Sequence, residues 1–163
     1  MEITINYKPI GILKTPFNTT VGMPIQPTES NVSVGMIILD ESLVEGLVDL
    51  DGFSHITLLY HLHKVSDCKL TVIPFIDNKP HGIFATRAPV RPNAIGISTV
   101  KLLSISGNVL HIEGVDMLND TPLLDIKPFY PQYDNRLNTR SGWLEAIDSK
   151  EFKNIKSDNR FNK

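Results

Sequence analysis

Apolar and polar residues alternate with a period of two along much of the chain, which is the pattern expected of β-strands buried on one face. The pattern is clearest over residues 56–62, where every second residue is Ile, Leu, Tyr or Leu. Similar stretches predict strands near residues 3–13, 32–38, 56–62, 69–76, 97–105, 109–115 and 121–127. Because long helical patterns do not alternate with these strands, we predict an all-β, mainly antiparallel fold, a small β-barrel with one or two short helices and long functional loops.

The segments between the predicted strands carry turn and cap signals. Asp40 can cap a short helix over residues 41–47, and Ser106-Gly107-Asn108 is typical of a hairpin connection. Residues 15–30 are rich in Pro, Gly and Thr and predict a long surface loop. The composition changes after Arg140, so we predict a β-barrel domain over residues 1–145 and a tail over residues 146–163, a short helix followed by a disordered end.

Composition narrows the class of protein. A chain of 163 residues with 41% hydrophobic content is typical of one soluble globular domain. The single cysteine, Cys68, allows no intramolecular disulfide, and neither a signal peptide nor an apolar run of about 20 residues is visible. We therefore predict a cytoplasmic protein with no membrane association. The net charge of −2 argues against indiscriminate nucleic-acid binding but leaves room for a local basic groove.

Such a local cationic segment lies in the middle of the chain. Residues 78–112 contain no Asp or Glu, and they include Arg87 and Arg91 in a loop stiffened by Pro89 and Pro92. Two arginines and Asn93 in a stiff loop suit recognition of a carboxylate, a phosphate or a base edge. The alternative is that the arginines pair with carboxylates elsewhere and only hold the loop in shape.

Histidines raise a separate possibility. His61 and His63 fall on one face of the predicted strand at residues 56–62, and His55 shares their parity. A His-x-His pair on a strand can bind zinc, which makes a His-based metal hydrolase one hypothesis. Half-buried, hydrogen-bonded imidazoles are the alternative, and it suits His61 better because no acidic or Cys ligand lies nearby in the sequence.

The central loop also carries a family resemblance. Phe84-Ala85-Thr86-Arg87, followed by Arg91-Pro92-Asn93, Ile95-Gly96 and Ser98, resembles the signature of the TsaA-like family, whose characterised members are tRNA methyltransferase O enzymes. The match runs from about residue 5 to about residue 143, and its other blocks are Ile10-Gly11-Ile12 with Thr15-Pro16-Phe17, Gly52-Phe53-Ser54-His55-Ile56, and the run from Thr121 to Pro128. Ala88 stands where Ser is usual, Ala94 where Pro is usual, and Asn119-Asp120 replaces Asp-Gly.

The resemblance implies S-adenosylmethionine as the cofactor and names the positions that would bind it. These positions are Ile25, Gln26, Pro27, His63, Lys64, Arg87, Ile97, Val115 and Asp116. A positive sulfonium is stable near carbonyl oxygens or aromatic faces, and the carboxylate of the cofactor needs an arginine or backbone N–H groups.

The resemblance also implies an acceptor, N6-threonylcarbamoyladenosine beside the tRNA anticodon. Asp125 and Lys127 lie two residues apart on one predicted strand and are the candidate catalytic pair, Asp125 as base or orienting acceptor and Lys127 as the cation on the ureido oxygen or threonyl carboxylate. A structural Asp–Lys pair is the alternative. Arg91 and Asn93 are candidate substrate-binding residues, and so are Tyr130 and Tyr133, which could stack on an anticodon base or cover the core.

The sequence thus predicts an S-adenosylmethionine-dependent tRNA (adenine-N6)-methyltransferase. A homodimer is expected, because a small barrel with a long Pro-rich loop leaves a cofactor site that a second subunit could close. A non-catalytic module that binds S-adenosylmethionine or RNA remains the main alternative, and the metal hydrolase remains the second.

Overall fold

The computed structural model describes residues 3–25, 32–147 and 156–161. Eight strands lie in these ranges: β1 (Gly11–Lys14), β2 (Val34–Leu39), β3 (His55–His61), β4 (Thr71–Val72), β5 (His81–Gly82), β6 (Ile95–Ser106), β7 (Val109–Glu113) and β8 (Thr121–Pro128). Six of them close into an antiparallel barrel in the order β1-β2-β7-β6-β3-β8, and β4 pairs with β5 in a separate two-stranded sheet. The predicted all-β barrel is confirmed.

Two predicted strands are largely wrong. Residues 3–10 form no strand, and Ile3, Ile5 and Tyr7 are exposed, because the segment lies outside the barrel ladder that begins at Gly11. Within residues 69–76 only β4 forms, since its one partner is the two-residue β5 and Pro74 lacks the N–H that would extend the ladder.

Helical structure in the described residues is short. The helix α1 spans Pro131–Asp134, and 3₁₀ helices span Glu41–Leu47, Leu50–Gly52, Ile83–Ala85, Gly142–Ala146 and Asn159–Phe161. The predicted cap is confirmed, since the Asp40 carboxylate accepts a hydrogen bond from the Ser42 N–H. None of the described helices is long and apolar enough to cross a membrane.

The barrel interior is filled by alternate residues of its strands. The fully buried members include Leu13, Ile37, Ile56, Leu58, Leu110, Ile112 and Leu123. A second, smaller cluster of Val72, Ile83, Ala88 and Val90 lies beneath the central loop, with Val65 and Phe161 packed against it. Burial of these apolar side chains removes them from water, and it fixes both the barrel and the central loop.

The predicted hairpin is confirmed between β6 and β7. Gly107 has φ +60°, which an L side chain rarely adopts, and the Asn108 amide donates to the Leu39 carbonyl at 2.8 Å. The antiparallel ladder then brings the carboxyl ends of β1, β3 and β7 and the amino ends of β2, β6 and β8 to the same end of the barrel. We call this end the β3-exit end, because β3 leaves the barrel there at His61.

Candidate active site

A chain of buried polar groups marks the inside of the barrel near the β3-exit end. The Ser98 hydroxyl, on β6, donates to the Asp116 carboxylate at 2.6 Å and lies 2.9 Å from the Tyr60 hydroxyl, on β3. All three side chains are buried, and Ser98 is only 1% exposed. Asp116 follows Gly114 and Val115 at the end of β7, and Gly114 has φ +89° where the chain turns inward. The fold therefore places one carboxyl group inside the barrel wall.

Burial changes the acid–base properties of the hydrogen-bonded groups Asp116 and Tyr60. Desolvation raises the pKa of Asp116 to about 7, against the hydrogen bond from Ser98, a backbone hydrogen bond and the nearby charge of Arg87, all of which lower it. Desolvation and the Asp116 charge raise the pKa of the Tyr60 hydroxyl well above its ordinary value. Asp116 is thus poised to change charge near neutral pH.

Close packing fixes Tyr60 in this position. A Cβ atom on Gly96, which pairs with Tyr60 across the β3–β6 ladder, would lie 2.2 Å from the ring. Only glycine lets the ring lie flat against the β6 backbone, so Gly96 holds the Tyr60 hydroxyl at Ser98.

His63 lies at the same end of the barrel, two residues beyond the end of β3. Its Nδ1 atom lies 3.3 Å from the hydroxyl of Thr121, the first residue of β8. Partial burial lowers the pKa of His63, and the charges of Lys64 and His61 lower it further. Because β3 ends at His61, the shared strand face predicted for His61 and His63 is not formed.

The predicted cofactor loop also reaches this end. Thr15 donates its hydroxyl to the Met117 carbonyl at 2.8 Å, and its N–H bonds the Asn119 amide oxygen at 3.1 Å. The N–H of Asn119 in turn bonds the Phe17 carbonyl at 2.7 Å. Ile25 is half-buried at the end of the described part of this loop, whereas Gln26 and Pro27 lie outside the described residues.

The two central arginines have different surroundings. Arg91 braces its own loop, because its Nη1 donates to the carbonyls of Ile83 at 3.2 Å and Thr86 at 2.8 Å. Arg87 is exposed, and its positive charge acts to lower the pKa of both Asp116 and Tyr60. Partners of Arg91 are thus backbone carbonyls of the same loop rather than the distant carboxylates considered above.

The other predicted site residues near this end, Asn93, Ile97 and Lys64, are exposed to solvent. Asn93 is exposed, and its carbonyl accepts from the Ile95 N–H at 2.8 Å. Ile97 points outward from β6 and is 49% exposed, one residue from the inward Ser98. Lys64 is exposed, and with Lys69 and Arg160 it lines a small cavity of about 50 Å³.

Asp125 and Lys127 form an ion pair on the outer surface of the barrel. Their carboxylate and ammonium groups lie 2.8 Å apart, with the side chains 44% and 62% exposed. Asp125 pairs with Leu59 and Lys127 with Thr57, the outward residues of β3, whereas Ser98 points inward. The barrel wall thus separates Asp125 and Lys127 from the buried, hydrogen-bonded Asp116 of the same subunit.

Tyr130 and Tyr133 lie past the far end of β8. Their rings are 4.8 Å apart and both side chains are exposed, which leaves two faces for stacking. β8 begins at Thr121 beside His63 and runs eight residues to Pro128, a distance of roughly 23 Å. One subunit therefore does not bring the tyrosines to the β3-exit end.

Sequence reasoning missed several residues that complete this end of the barrel. Ser98 belongs to the family signature, but its hydrogen bonds to Asp116 and Tyr60 were not predicted, and for Tyr60 only the inward parity was visible in the pattern. Ser157 lies in the predicted tail, yet its N–H bonds the Met23 carbonyl of the candidate cofactor loop at 3.0 Å. Among the described residues, no group of three or more His, Cys, Asp or Glu side chains could hold a metal ion.

Comparison with known sequences gives a consistent family match. A family model described as the tRNA-methyltransferase O N-terminal domain matches residues 12–135. A protein of Pyrococcus abyssi named as a probable S-adenosyl-L-methionine-binding protein is 45% identical over 161 residues, which cover 99% of this chain and 87% of that protein. The human tRNA (adenine(37)-N6)-methyltransferase is 35% identical over 138 residues, covering 80% of this chain and 31% of that enzyme.

Solved structures share the barrel. The crystal structure of TrmO from Pseudomonas aeruginosa superposes with a TM-score of 0.74 at 34% identity, covering 86% of this chain and 63% of that one. The present chain therefore spans less than two thirds of that structure and about a third of the human enzyme.

Proposed function

This chain belongs to the tRNA-methyltransferase O N-terminal domain family, and from that premise we propose that it transfers a methyl group from S-adenosylmethionine to tRNA. The proposed acceptor is the exocyclic nitrogen of N6-threonylcarbamoyladenosine beside the anticodon. The observation that carries the proposal is that His63 and Asp116 lie at the β3-exit end and that the charge of Arg87 acts on Asp116. The family resemblance puts the cofactor at all three positions.

The residues at this end suit the cofactor chemically. S-adenosylmethionine supplies an electrophilic methyl group on a positively charged sulfur, together with a carboxylate and an ammonium group. The exposed guanidinium of Arg87 can bind a carboxylate, and the buried Asp116 offers negative charge at a pH above its pKa of about 7. A polar chain held by Ser98 and Tyr60 keeps that carboxylate in one orientation.

Acceptor activation is proposed for the outer surface. A urea nitrogen is a poor nucleophile until its proton is removed or its carbonyl is polarised, and Asp125 and Lys127 offer a base and a cation 2.8 Å apart. The aromatic faces of Tyr130 and Tyr133 are available to stack on anticodon bases. Arg91 and Asn93 would then act on the substrate through the loop that Arg91 braces.

We propose a homodimer with a shared site, which these positions support. The cofactor candidates gather at the β3-exit end, whereas the acceptor candidates lie across the barrel wall or beyond the far end of β8. A second copy that presents its outer surface to the β3-exit end would complete the site. We also propose a cytoplasmic location.

The direct test is methyl transfer with labelled cofactor. Purified protein is titrated with S-adenosylmethionine by calorimetry and then incubated with tRNA that does or does not carry the threonylcarbamoyl group. We expect binding, and label incorporation only into the modified tRNA, because a cationic Lys127 would recognise the threonyl carboxylate. Equal labelling of both tRNAs would contradict the proposed acceptor and the role of Lys127.

The second candidate function is binding without catalysis. The exposed Asp125–Lys127 ion pair favours it, because the two groups satisfy each other, and several archaeal relatives are named only as S-adenosyl-L-methionine-binding proteins. In that case calorimetry would detect the cofactor and no tRNA would be labelled.

The variant Asp125→Asn separates a catalytic role from a structural one. We expect the methylation rate to fall by roughly 10²–10⁴, the usual range for a general acid–base group, with unchanged cofactor affinity. The melting temperature is the control, since a purely structural ion pair predicts a lower melting temperature and a rate loss that follows the unfolded fraction. A variant with the wild-type rate would remove Asp125 from the mechanism.

A further inference from the structure

The segment of residues 156–161 connects two parts of the candidate cofactor site. It lies beyond residues 12–135, which the family model matches, and in the sequence it resembles a solvated tail. In the fold it contacts the loop of residues 20–24 at one end and the cluster beneath the central loop at the other. We call residues 156–161 the C-terminal strap.

At its first end the strap is hydrogen-bonded to the cofactor loop. The Ser157 N–H bonds the Met23 carbonyl at 3.0 Å, and the Ser157 carbonyl accepts from the Gly22 N–H at 2.9 Å. The Ser157 hydroxyl donates to the carbonyls of Thr20 and Met23. Pro24 and Lys156 form a further antiparallel bridge. Gly22 has φ +80°, so the loop turns sharply where the strap meets it.

At its other end the strap is anchored by Phe161 and Arg160. The Phe161 ring meets the Phe75 ring edge to face with centroids 5.0 Å apart, and it packs against the cluster of Val72, Ile83, Ala88 and Val90. The Arg160 guanidinium lies 5.0 Å from the centre of the Phe75 ring and donates to the Pro74 carbonyl at 2.6 Å. An ion pair with Asp158 at 2.8 Å fixes the same guanidinium.

The anchored cluster carries the central arginine. Ala88, a member of the cluster, is the neighbour of Arg87, whose charge reaches Asp116. The strap therefore connects two parts of the molecule. One is the loop that leads to Ile25, and the other is the central loop, which carries Arg87. Contacts of this kind restrict where the two sides of a site lie relative to each other, which lowers the entropy lost on ligand binding.

We propose that Ser157, Arg160 and Phe161 are positioning residues for the cofactor, because together they hold the Thr20–Ile25 loop against the side of the site that carries Arg87. The inference rests on the proposed function, since it assumes that S-adenosylmethionine binds at the β3-exit end. The three residues need not touch the cofactor. They set its affinity through the loop.

The experiment compares Ser157→Ala and Phe161→Ala with Lys156→Ala, whose exposed side chain lies in the same segment and whose bridge to Pro24 uses the backbone. We expect the Kd and the KM for S-adenosylmethionine to rise about tenfold in Phe161→Ala and to rise less in Ser157→Ala, with kcat within twofold of wild type. Lys156→Ala should bind as wild type does, and Phe161→Leu should recover much of the affinity.

Hydrogen exchange provides the readout that separates positioning from general stability. In Phe161→Ala the amides of residues 18–25 should exchange faster, whereas those of β3 and β6 should keep their protection. Equal cofactor affinity in wild type and Phe161→Ala would overturn the inference, and so would a loss of protection spread over all barrel strands. Absence of cofactor binding in wild type would instead contradict the proposed function on which the inference rests.

Discussion

Asp116 is the residue whose behaviour depends most on its surroundings. The carboxyl group would be exposed and ionised in an unfolded chain, yet the barrel buries it beside Ser98 and Tyr60. Desolvation raises its pKa from 3.8 to about 7, so the folded chain holds the proton more tightly than the unfolded chain does. This group therefore stabilises the fold fully below about pH 4, and its contribution is lost as the pH rises to about 7.

The variant Asp116→Asn removes this dependence on pH. We expect the melting temperature of the variant to rise relative to wild type as the pH goes from 4 to 7, and the difference to level off above pH 7. Thermal melts from pH 4 to pH 8 measure the difference, and Asp51→Asn, at an exposed position, is the control. A constant difference over this range would mean that Asp116 is ionised in the folded chain throughout.

The beginning of β6 is an element with little tolerance for added atoms. The Tyr60 ring packs against the backbone of Gly96, and the hydroxyl of the same tyrosine is hydrogen-bonded to Ser98, two residues further along β6. A methyl group at Gly96 would push the ring away from Ser98, and Tyr60 is too buried to move freely.

We therefore expect Gly96→Ala to lower the free energy of unfolding by about 1–3 kcal/mol, the usual cost of overpacking. Chemical denaturation measures the change. Gly46→Ala is the matched control, because nothing lies within 4 Å of a Cβ there, and it should stay within about 0.5 kcal/mol of wild type. A fully stable Gly96→Ala protein would show that the Tyr60 ring has room to move.

Elements were predictable from the sequence where strand pairing and alternation agree. β3 shows the expected burial pattern, with Ile56, Leu58 and Tyr60 buried on one face, whereas in β6 the polar Ser98 is buried and the apolar Ile97 is 49% exposed. The alternation of Ile3, Ile5 and Tyr7 is equally regular, but a period of two does not reveal whether a partner strand exists. For the site, the resemblance indicated His63 and Asp116 and included Ser98 in its signature. The hydrogen bonds of Ser98 and Ser157 depend on contacts between distant parts of the chain, which no local pattern records.

At the scale of the whole molecule, the proposed shared site predicts complementation between subunits. Arg87→Ala and Asp125→Asn subunits, each of which we expect to lose most of its activity alone, are mixed and allowed to exchange. Half of the dimers would be mixed and each would keep one intact site, so we expect about a quarter of wild-type methylation. Sedimentation of the same samples measures whether the proposed dimer forms. No recovery of activity in a mixed dimer would place both residues of one site in a single subunit.

The closure of the barrel has a consequence for how fast the chain can fold. The seam joins β1 to β8, so Gly11 must meet Leu123 before the sheet loses its open edges. A contact between such distant residues requires closing a long loop, and chains dominated by contacts of this kind fold in milliseconds to seconds rather than microseconds. Until the seam forms, both edge strands expose unpaired amide and carbonyl groups, and the half-built barrel is the species most open to aggregation.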